Sequence, residues 1–400
     1  MLLRSQDGPR GGQRTHRPRT GGARKARPRG RDPDGGAAPQ PQCRNLRGDR
    51  DLRILPPASG EWWMTLVIGT DEAGYGPNLG PLVVAATAWE VDAAAGQADD
   101  RLAEAVACGL AESGIVWADS KRVFRRGDPA AGPLARGVLA AAAIISGSVP
   151  RVWRSLAAAV GRITPDPADG EGTQWEGIEQ AELIDDPAAA ALESVAAAIA
   201  RRLEAGGVRL VGLACHGIYP ARFNRLLEAG ENKSDILSRA TLALAAGVRG
   251  HDSRRPARIH CDRHGGRKRY AAAVGRAFGG VAKTLNEAAD SSSYEVAAAP
   301  GLFPQDTAAT WIGFSVGGER RPPVALASMA AKFVREMAMD HFNRRWAAWF
   351  RASPPPPATR SMPAAGGPRP TGRSAAWAST RRRSGGGNRL RRVLPNPACR

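Results

Sequence analysis

Apolar positions between residues 64 and 350 fall into runs of two periods. Residues 65–70 (TLVIGT) and 82–89 (LVVAATAW) are short and rich in β-branched residues, with a Gly/Pro/Asn-rich turn between them, which predicts a β-hairpin or β-loop-β opening. In residues 187–204 the period changes: Leu192, Val195, Ile199 and Leu203 recur at three and four residue steps and Gly206-Gly207 follows, the pattern of an amphipathic helix with its stop. A strand is expected at 208–214, a helix at 235–246 and a short strand at 258–261 ending on Asp262. A long helical stretch over 324–350 is entered through Pro322-Pro323. Strands alternating with helices, with helices grouped late, predict an α/β fold around a mixed sheet. Residues 127–186, with Gly/Pro/Asp clusters and tryptophan-bearing patches, show neither period clearly.

Composition separates the ends from the middle. The chain has 400 residues, 42% hydrophobic and 24% charged, with a formal net charge of +19. Residues 64–350 nevertheless carry 32 bases and 32 acids, so the excess resides in residues 1–63 and 351–400. Those ends hold 17 of the 31 prolines and only one lysine, Lys25, among their basic residues. Such text cannot bury enough apolar surface to offset chain entropy, so 1–63 and 351–400 are expected to be disordered extensions. Arg/Pro/Gly/Ala text almost without lysine is also what a GC-rich gene gives in a shifted frame. Met64 is therefore expected as the natural start and 351–400 as a shifted or misjoined end. Whatever the neutral middle binds, it binds through local placement of charge.

Five scattered cysteines (Cys43, Cys108, Cys215, Cys261, Cys399) form no CxxC pair, which argues against a disulfide framework and a zinc ribbon and for a reducing cytoplasm. The longest weakly polar run, residues 138–149, is too short to span a bilayer, so no membrane association is expected. The N-terminus has no apolar segment of the secretory kind.

The sharpest local feature is Asp71-Glu72-Ala73-Gly74-Tyr75-Gly76-Pro77, with Gly80-Pro81 just after, where a strand should end. Adjacent carboxylates followed by glycines make either an acidic turn or a metal and phosphate site. Asp262 sits at the end of a second strand before Gly265-Gly266, and Glu319 precedes the long helix. Three or four convergent acids would supply the oxygen ligands that Mg²⁺ or Mn²⁺ requires. Taken singly, Glu319 is equally a solvated acid favoured by the helix dipole. His260-Cys261-Asp262-Arg263-His264 contains soft ligands without a matching pair elsewhere, and Cys215-His216 lacks a base and an orienting group. Neither is expected to be a zinc site or a nucleophile. Arg263, Arg267, Lys268 and Arg269 form a basic run beside Asp262, equally a solvated run and a phosphate contact.

Residues 71–81 (DEAGYGPNLGP) resemble the signature of type 2 ribonucleases H, the ribonuclease HII family. Ala118-Asp119-Ser120-Lys121-Arg122 resembles that family's Asp-Ser-Lys-Lys segment, residues 235–244 (DILSRATLAL) its Asn-Ile-Leu-x-Ala-Thr-Leu helix, and residues 327–335 (ASMAAKFVR) its Ala-Ser-Ile-x-Ala-Lys helix. The four blocks keep the family's order across roughly residues 65–345. The resemblance implies a ribonuclease H-like fold in residues 64–350, a mixed five-stranded sheet flanked by helices, with an insertion around 127–230. It implies a cytoplasmic, monomeric endoribonuclease that cuts RNA in RNA/DNA hybrids or at ribonucleotides embedded in duplex DNA, leaving 3′-OH and 5′-phosphate ends. Asp71, Glu72, Asp262 and Glu319 match the catalytic acids that hold two Mg²⁺ or Mn²⁺ ions, with Asp290 the reserve for the fourth. Gly74, Tyr75, Gly76, Ser120, Lys121 and Lys332 would contact the substrate. Two departures stand out: Tyr75 occupies the place of the arginine between the two glycines, and no tyrosine follows the 327–335 helix. They leave open an alternative function, non-catalytic nucleic-acid binding on a degenerate site.

Overall fold

The computed structural model describes residues 64–76, 79–124, 132–250, 255–297 and 308–352. Residues 1–63 and 353–400, on which the expectations about the two ends fall, lie outside them. Arg351 and Ala352 belong to the last helix.

Strands β1 (Met64–Ala73) and β2 (Leu82–Asp92) form the expected antiparallel pair, Ile68 opposite Ala88 and Glu72 opposite Val84. Both are apolar almost throughout because both faces of the sheet are covered, which is why neither alternates cleanly. Helices α1 (Ala98–Leu110), α2 (Ser120–Val123), α3 (Pro133–Ser146), α4 (Trp153–Val160) and α5 (Asp186–Ala205) follow. Next come β3 (Val208–Ile218), α6 (Pro220–Glu228), α7 (Lys233–Arg249), β4 (Ala257–Asp262) and α8 (Ala271–Phe278). Strands β5 (Ala282–Glu287), β6 (Ser291–Val296) and β7 (Thr310–Ser315) precede α9 (Pro322–Ala352).

The sheet is mixed and has seven strands among the described residues, ordered β3-β2-β1-β4-β7-β6-β5. This corrects the expected five. The two additional strands, β5 and β6, form an antiparallel hairpin laid against the β7 edge. Their sequences, AKTLNE and SSSYEV, carry too few apolar residues to read as strands. Tyr294 and Val296 are inserted into the core, while β5 is largely exposed.

One face of the sheet packs on α1, α3, α5 and α9 through Val67, Ala85, Trp89 and Leu213. The other packs on α7 and α8 through Ile68, Ile259 and Phe314, and on α6 and α7 through Val84 and Ile218. The alternation of Val67 and Ile68 between the two cores is the period-two rule at work in a strand with no polar face. Helix α9, 31 residues and about 46 Å long, crosses β1 at Gly69, where any Cβ would collide with the Pro323 backbone. Its first turn is pinned by Thr87 Oγ1, which donates to the Pro323 carbonyl at 2.8 Å and accepts from Trp89 Nε1 at 3.0 Å.

The 127–230 span, where the described part begins at Gly132, contributes α3 and α5 to the larger core and β3 to one edge of the sheet. Its tryptophans are anchors. Trp153 is fully buried and donates to Thr164 Oγ1 at 3.1 Å, and Trp175 packs edge-on to Tyr219 and tilted against Phe342 of α9. No helix among the described residues is long and apolar enough to cross a membrane.

Candidate active site

Parallel pairing of β1 with β4 sets Thr70 beside Cys261, so the next residues, Asp71 and Asp262, emerge together at the carboxyl ends of neighbouring strands. Parallel pairing of β4 with β7 brings the segment after β7 to the same end. There Gly317, at φ +69, turns the chain so that the Gly318 N–H donates to Asp262 Oδ1 at 3.0 Å. Glu319 follows directly. Three stretches of chain far apart in sequence thus deliver four carboxylates to the crevice outside the strand ends, where open α/β sheets bind ligands.

The four acids feel one another. Burial, and then the charges of Asp262 and Glu319, push Asp71 up to about 7, against the opposing pull of a hydrogen bond from Ser328 and of the Glu72 N–H, 2.8 Å from Asp71 Oδ1. Glu72 is held well above the usual carboxylate range by burial and by Asp71, Asp262 and Glu319, with Lys121 opposing. Asp262 is raised by burial and by Glu319, while the Gly318 and Arg263 N–H groups and Lys121 counter the rise. Oε2 of Glu72 and Oε2 of Glu319 are buried without a hydrogen-bond partner. Two orphaned carboxylate oxygens in a nest of like charges call for a cation.

The donors are all hard carboxylate oxygens, the chemistry that suits Mg²⁺ or Mn²⁺. The orphaned oxygens fit such an ion. As the side chains stand, no three His, Cys, Asp or Glu residues among those described are gathered at ligand spacing. The acids therefore form an electrostatically coupled cluster rather than a closed ligand cage.

Of the two candidates for the fourth acid, Glu319 belongs to the cluster. Asp290 is exposed at the β5–β6 turn, does not figure among the charges acting on Asp71, Glu72 or Asp262, and uses its carbonyl to accept from the Val316 N–H at 3.0 Å. Around the acids, Gly74 has φ +95 and leaves no room for a Cβ against Arg335 and the Pro81 carbonyl. Gly76 is exposed with open space beside it. Tyr75 is half-buried, its ring facing Gly265 and its side near the α6/α7 core. Ser120 is buried at the start of α2, its hydroxyl 2.9 Å from that of Ser328. Lys121 is almost fully exposed, with Nζ 3.7 Å from Glu319 Oε1. Lys332 lies further along α9, donating to Glu336 at 2.5 Å and resting 4.4 Å over the Phe124 ring.

Two residues of the 327–335 block escaped selection in the sequence. Ser328 touches Asp71, and Arg335 is buried beneath the glycine turn, donating from one terminal nitrogen to the Leu79 carbonyl at 3.0 Å and leaving Nε unpartnered. A hydroxyl and a guanidinium on the apolar side of a helix were the available signal, since such groups are buried only with partners.

The basic run beside Asp262 is committed largely to the protein. Arg263 donates to the carbonyls of Arg267 and Ala289, Arg267 pairs with Asp235 at 2.6 Å, and Arg269 lies 3.7 Å from Glu287. The soft ligands have separate partners: His260 bonds Asp99 at 2.8 Å, His264 bonds Ser238 at 3.0 Å, and Cys261 is buried. Burial also pushes the Cys215 thiol up to about 12, the state of a structural cysteine.

No protein-family profile matches the chain, and no curated protein matches it. Among solved structures, a chain of the PCNA:RNase HII complex from Archaeoglobus fulgidus is 13% identical, with 70% of this chain and 78% of that one covered and a TM-score of 0.32. The ribonuclease H2 from Pyrococcus horikoshii OT3 is likewise 13% identical, with 70% and 77% covered and a TM-score of 0.31.

Proposed function

We propose that the protein is a divalent-metal-dependent endoribonuclease of the ribonuclease H type, hydrolysing RNA in RNA/DNA duplexes to 3′-OH and 5′-phosphate ends. The observation that carries this reading is the cluster of Asp71, Glu72, Asp262 and Glu319 at the carboxyl ends of β1 and β4, with an orphaned oxygen on each glutamate. Three of the sequence blocks resembling type 2 ribonucleases H meet around it, because Ser120 and Ser328 from two of them join behind Asp71 of a third. The mixed seven-stranded sheet flanked by helices is compatible with such a fold.

In this reading the four acids hold Mg²⁺ or Mn²⁺, which when bound supplies charge neutralisation at the phosphodiester and eases deprotonation of the attacking water. The chain's own contribution is placement. Gly74 and Gly76 let a sugar-phosphate backbone approach, and backbone groups there can read the 2′-OH that distinguishes RNA from DNA. Lys121, exposed beside Glu319, offers a mobile positive charge to the phosphate. Tyr75 can stack or give one hydrogen bond but cannot neutralise a phosphate, so selectivity for a single embedded ribonucleotide is expected to be loose.

The test is cleavage of end-labelled duplexes containing one ribonucleotide, continuous RNA/DNA hybrid or DNA alone, with Mg²⁺, Mn²⁺ or EDTA. Metal-dependent cutting confined to the RNA-containing duplexes is expected. A second reading, nucleic-acid binding without catalysis, is favoured by the absence of a closed ligand cage among the described residues. Binding of a folded protein that weakens steeply with salt, ignores EDTA and never cuts would select it.

A further inference from the structure

A second site lies on the other side of the β1–β2 pair from β4. Between the end of α4, the β3 edge, α6 and α7 the molecule has a cleft of about 480 Å³, within the range of small-ligand sites. Its lining combines two kinds of surface. Leu226 and Leu244, over the buried Ile218 and Ile236, supply aliphatic surface, and Arg162, Arg222, Arg239 and His216 are interspersed with them. No carboxylate lines the cleft. Asp166, Asp169 and Glu231, which pair with the three arginines at 3.9, 3.5 and 2.7 Å, stand outside the lining. Burial and then the charges of Arg222 and Arg162 hold His216 below the usual imidazole range, with Asp169 opposing, so both guanidinium groups and one carboxylate act on the same ring.

The register of the sheet relates this cleft to the acids. Glu72, Val84 and His216 stand side by side across β1, β2 and β3, two strand spacings or about 10 Å apart. Directly opposed residues point to the same face, so Glu72 and His216 share one. The distance is of the order of one to two nucleotide steps along a strand. Guanidinium groups beside aliphatic side chains suit a ligand that carries both a phosphate and a flat, weakly polar body.

We propose that this cleft binds a nucleoside phosphate, with the phosphate competing for Arg162, Arg222 and Arg239 and the base against Leu226 and Leu244. Given the reading of the acid cluster as a nuclease site, the nucleotide belongs to the strand that flanks the scissile bond. The same chemistry could come from a free mononucleotide, and the experiment separates the two sources.

The full chain is titrated in EDTA into a fluorescein-labelled RNA/DNA duplex over a range of KCl, following anisotropy, so that binding is read whether or not the acids cut. Arg222→Gln with Arg239→Gln removes two charges, and Ala240→Trp fills the cleft while leaving every charge in place. Arg201→Gln with Arg276→Gln removes two exposed charges on α5 and α8, neither of which lines the cleft. Both cleft variants are expected to weaken binding about tenfold, and the double arginine variant to lower the salt slope by about two; the α5/α8 pair should do less. Displacement of the duplex by millimolar nucleoside 5′-monophosphate, abolished in the cleft variants, would assign the site to free nucleotides; loss of duplex affinity without such displacement assigns it to a nucleotide within a strand. Unchanged affinity in both cleft variants, or an equal loss in the α5/α8 pair, overturns the proposal. A chain that binds through the cleft yet never cuts with Mg²⁺ would remove the nuclease reading and leave this site standing.

Discussion

Ser328, one and a half turns into α9, hydrogen-bonds the carboxyl of Asp71 at the end of β1, and its hydroxyl lies 2.9 Å from that of Ser120. The bond favours the ionised carboxylate against the burial and like charges that favour the neutral acid. Ser328→Ala should therefore raise Asp71 above its value of about 7, so that cleavage falls severalfold at neutral pH and recovers at alkaline pH. Ser328→Thr, which keeps the hydroxyl, should restore the wild-type profile. A pH–rate comparison of the three proteins decides it; a loss in the alanine variant that is uniform in pH would reduce Ser328 to a packing residue.

The raised acids set the stability profile of the metal-free protein. Asp71 titrates near 7 when folded against 3.8 as a free side chain, so the folded state holds a proton that the unfolded chain releases. That contribution is fully present below about pH 4 and is lost as pH rises through 7, with Glu72 and Asp262 shifted in the same direction. Thermal melts in EDTA should show a Tm that falls between pH 5 and pH 8, and millimolar Mg²⁺ should recover much of the loss at pH 8.

Removing one charge from the cluster separates activity from stability. Asp71→Asn relieves repulsion on Glu72 at pH 8 and should raise Tm in EDTA by roughly 5 °C, while abolishing cleavage and most of the stabilisation by Mg²⁺. Calorimetry beside the cleavage assay measures all three. Wild-type activity in this variant would remove Asp71 from the metal-binding set.

Two glycines should respond differently to the same methyl group. At Gly69 a Cβ meets the Pro323 backbone where α9 crosses β1, deep in the core, so Gly69→Ala should cost about 3 kcal/mol in urea denaturation. At Gly74 the backbone has φ +95 and the Cβ would meet Arg335 and the Pro81 carbonyl at the edge of the site. Gly74→Ala should lose cleavage at least tenfold at a smaller cost in stability, because a surface turn can yield where a helix-sheet contact cannot.

The pattern of the chain disclosed the buried elements best. The hairpin at 65–89, the α5 helix and the long α9 helix carry strong periods and clear start or stop residues, and they form within a few positions of where those signals lie. Strands β5 and β6 were illegible because they are held by pairing, β6 to β7 and β5 to β6, with only Tyr294 and Val296 as buried apolar residues of a mostly polar sequence. The 127–186 region was illegible for a related reason: its one-turn helices at 167–180 are held by the burial of Trp175 against residues far away in sequence. At the site, Asp71 and Glu72 were visible because adjacent acids before glycines are distinctive. The choice of Glu319 over Asp290 needed the turn at Gly317, and the arginines of the second cleft are too far apart in sequence to have been grouped.

Because the acids come from positions 71–72, 262 and 319, the site is among the longest-range features of the molecule. No local segment contains it, and its closure waits on the pairing of β1 with β4 and the docking of α9, steps that carry a large loop-closure entropy. Any chemistry at these carboxylates is thus a property of the finished chain: a growing polypeptide that has emerged only as far as β4 would already display the DEAGYG motif and remain inert.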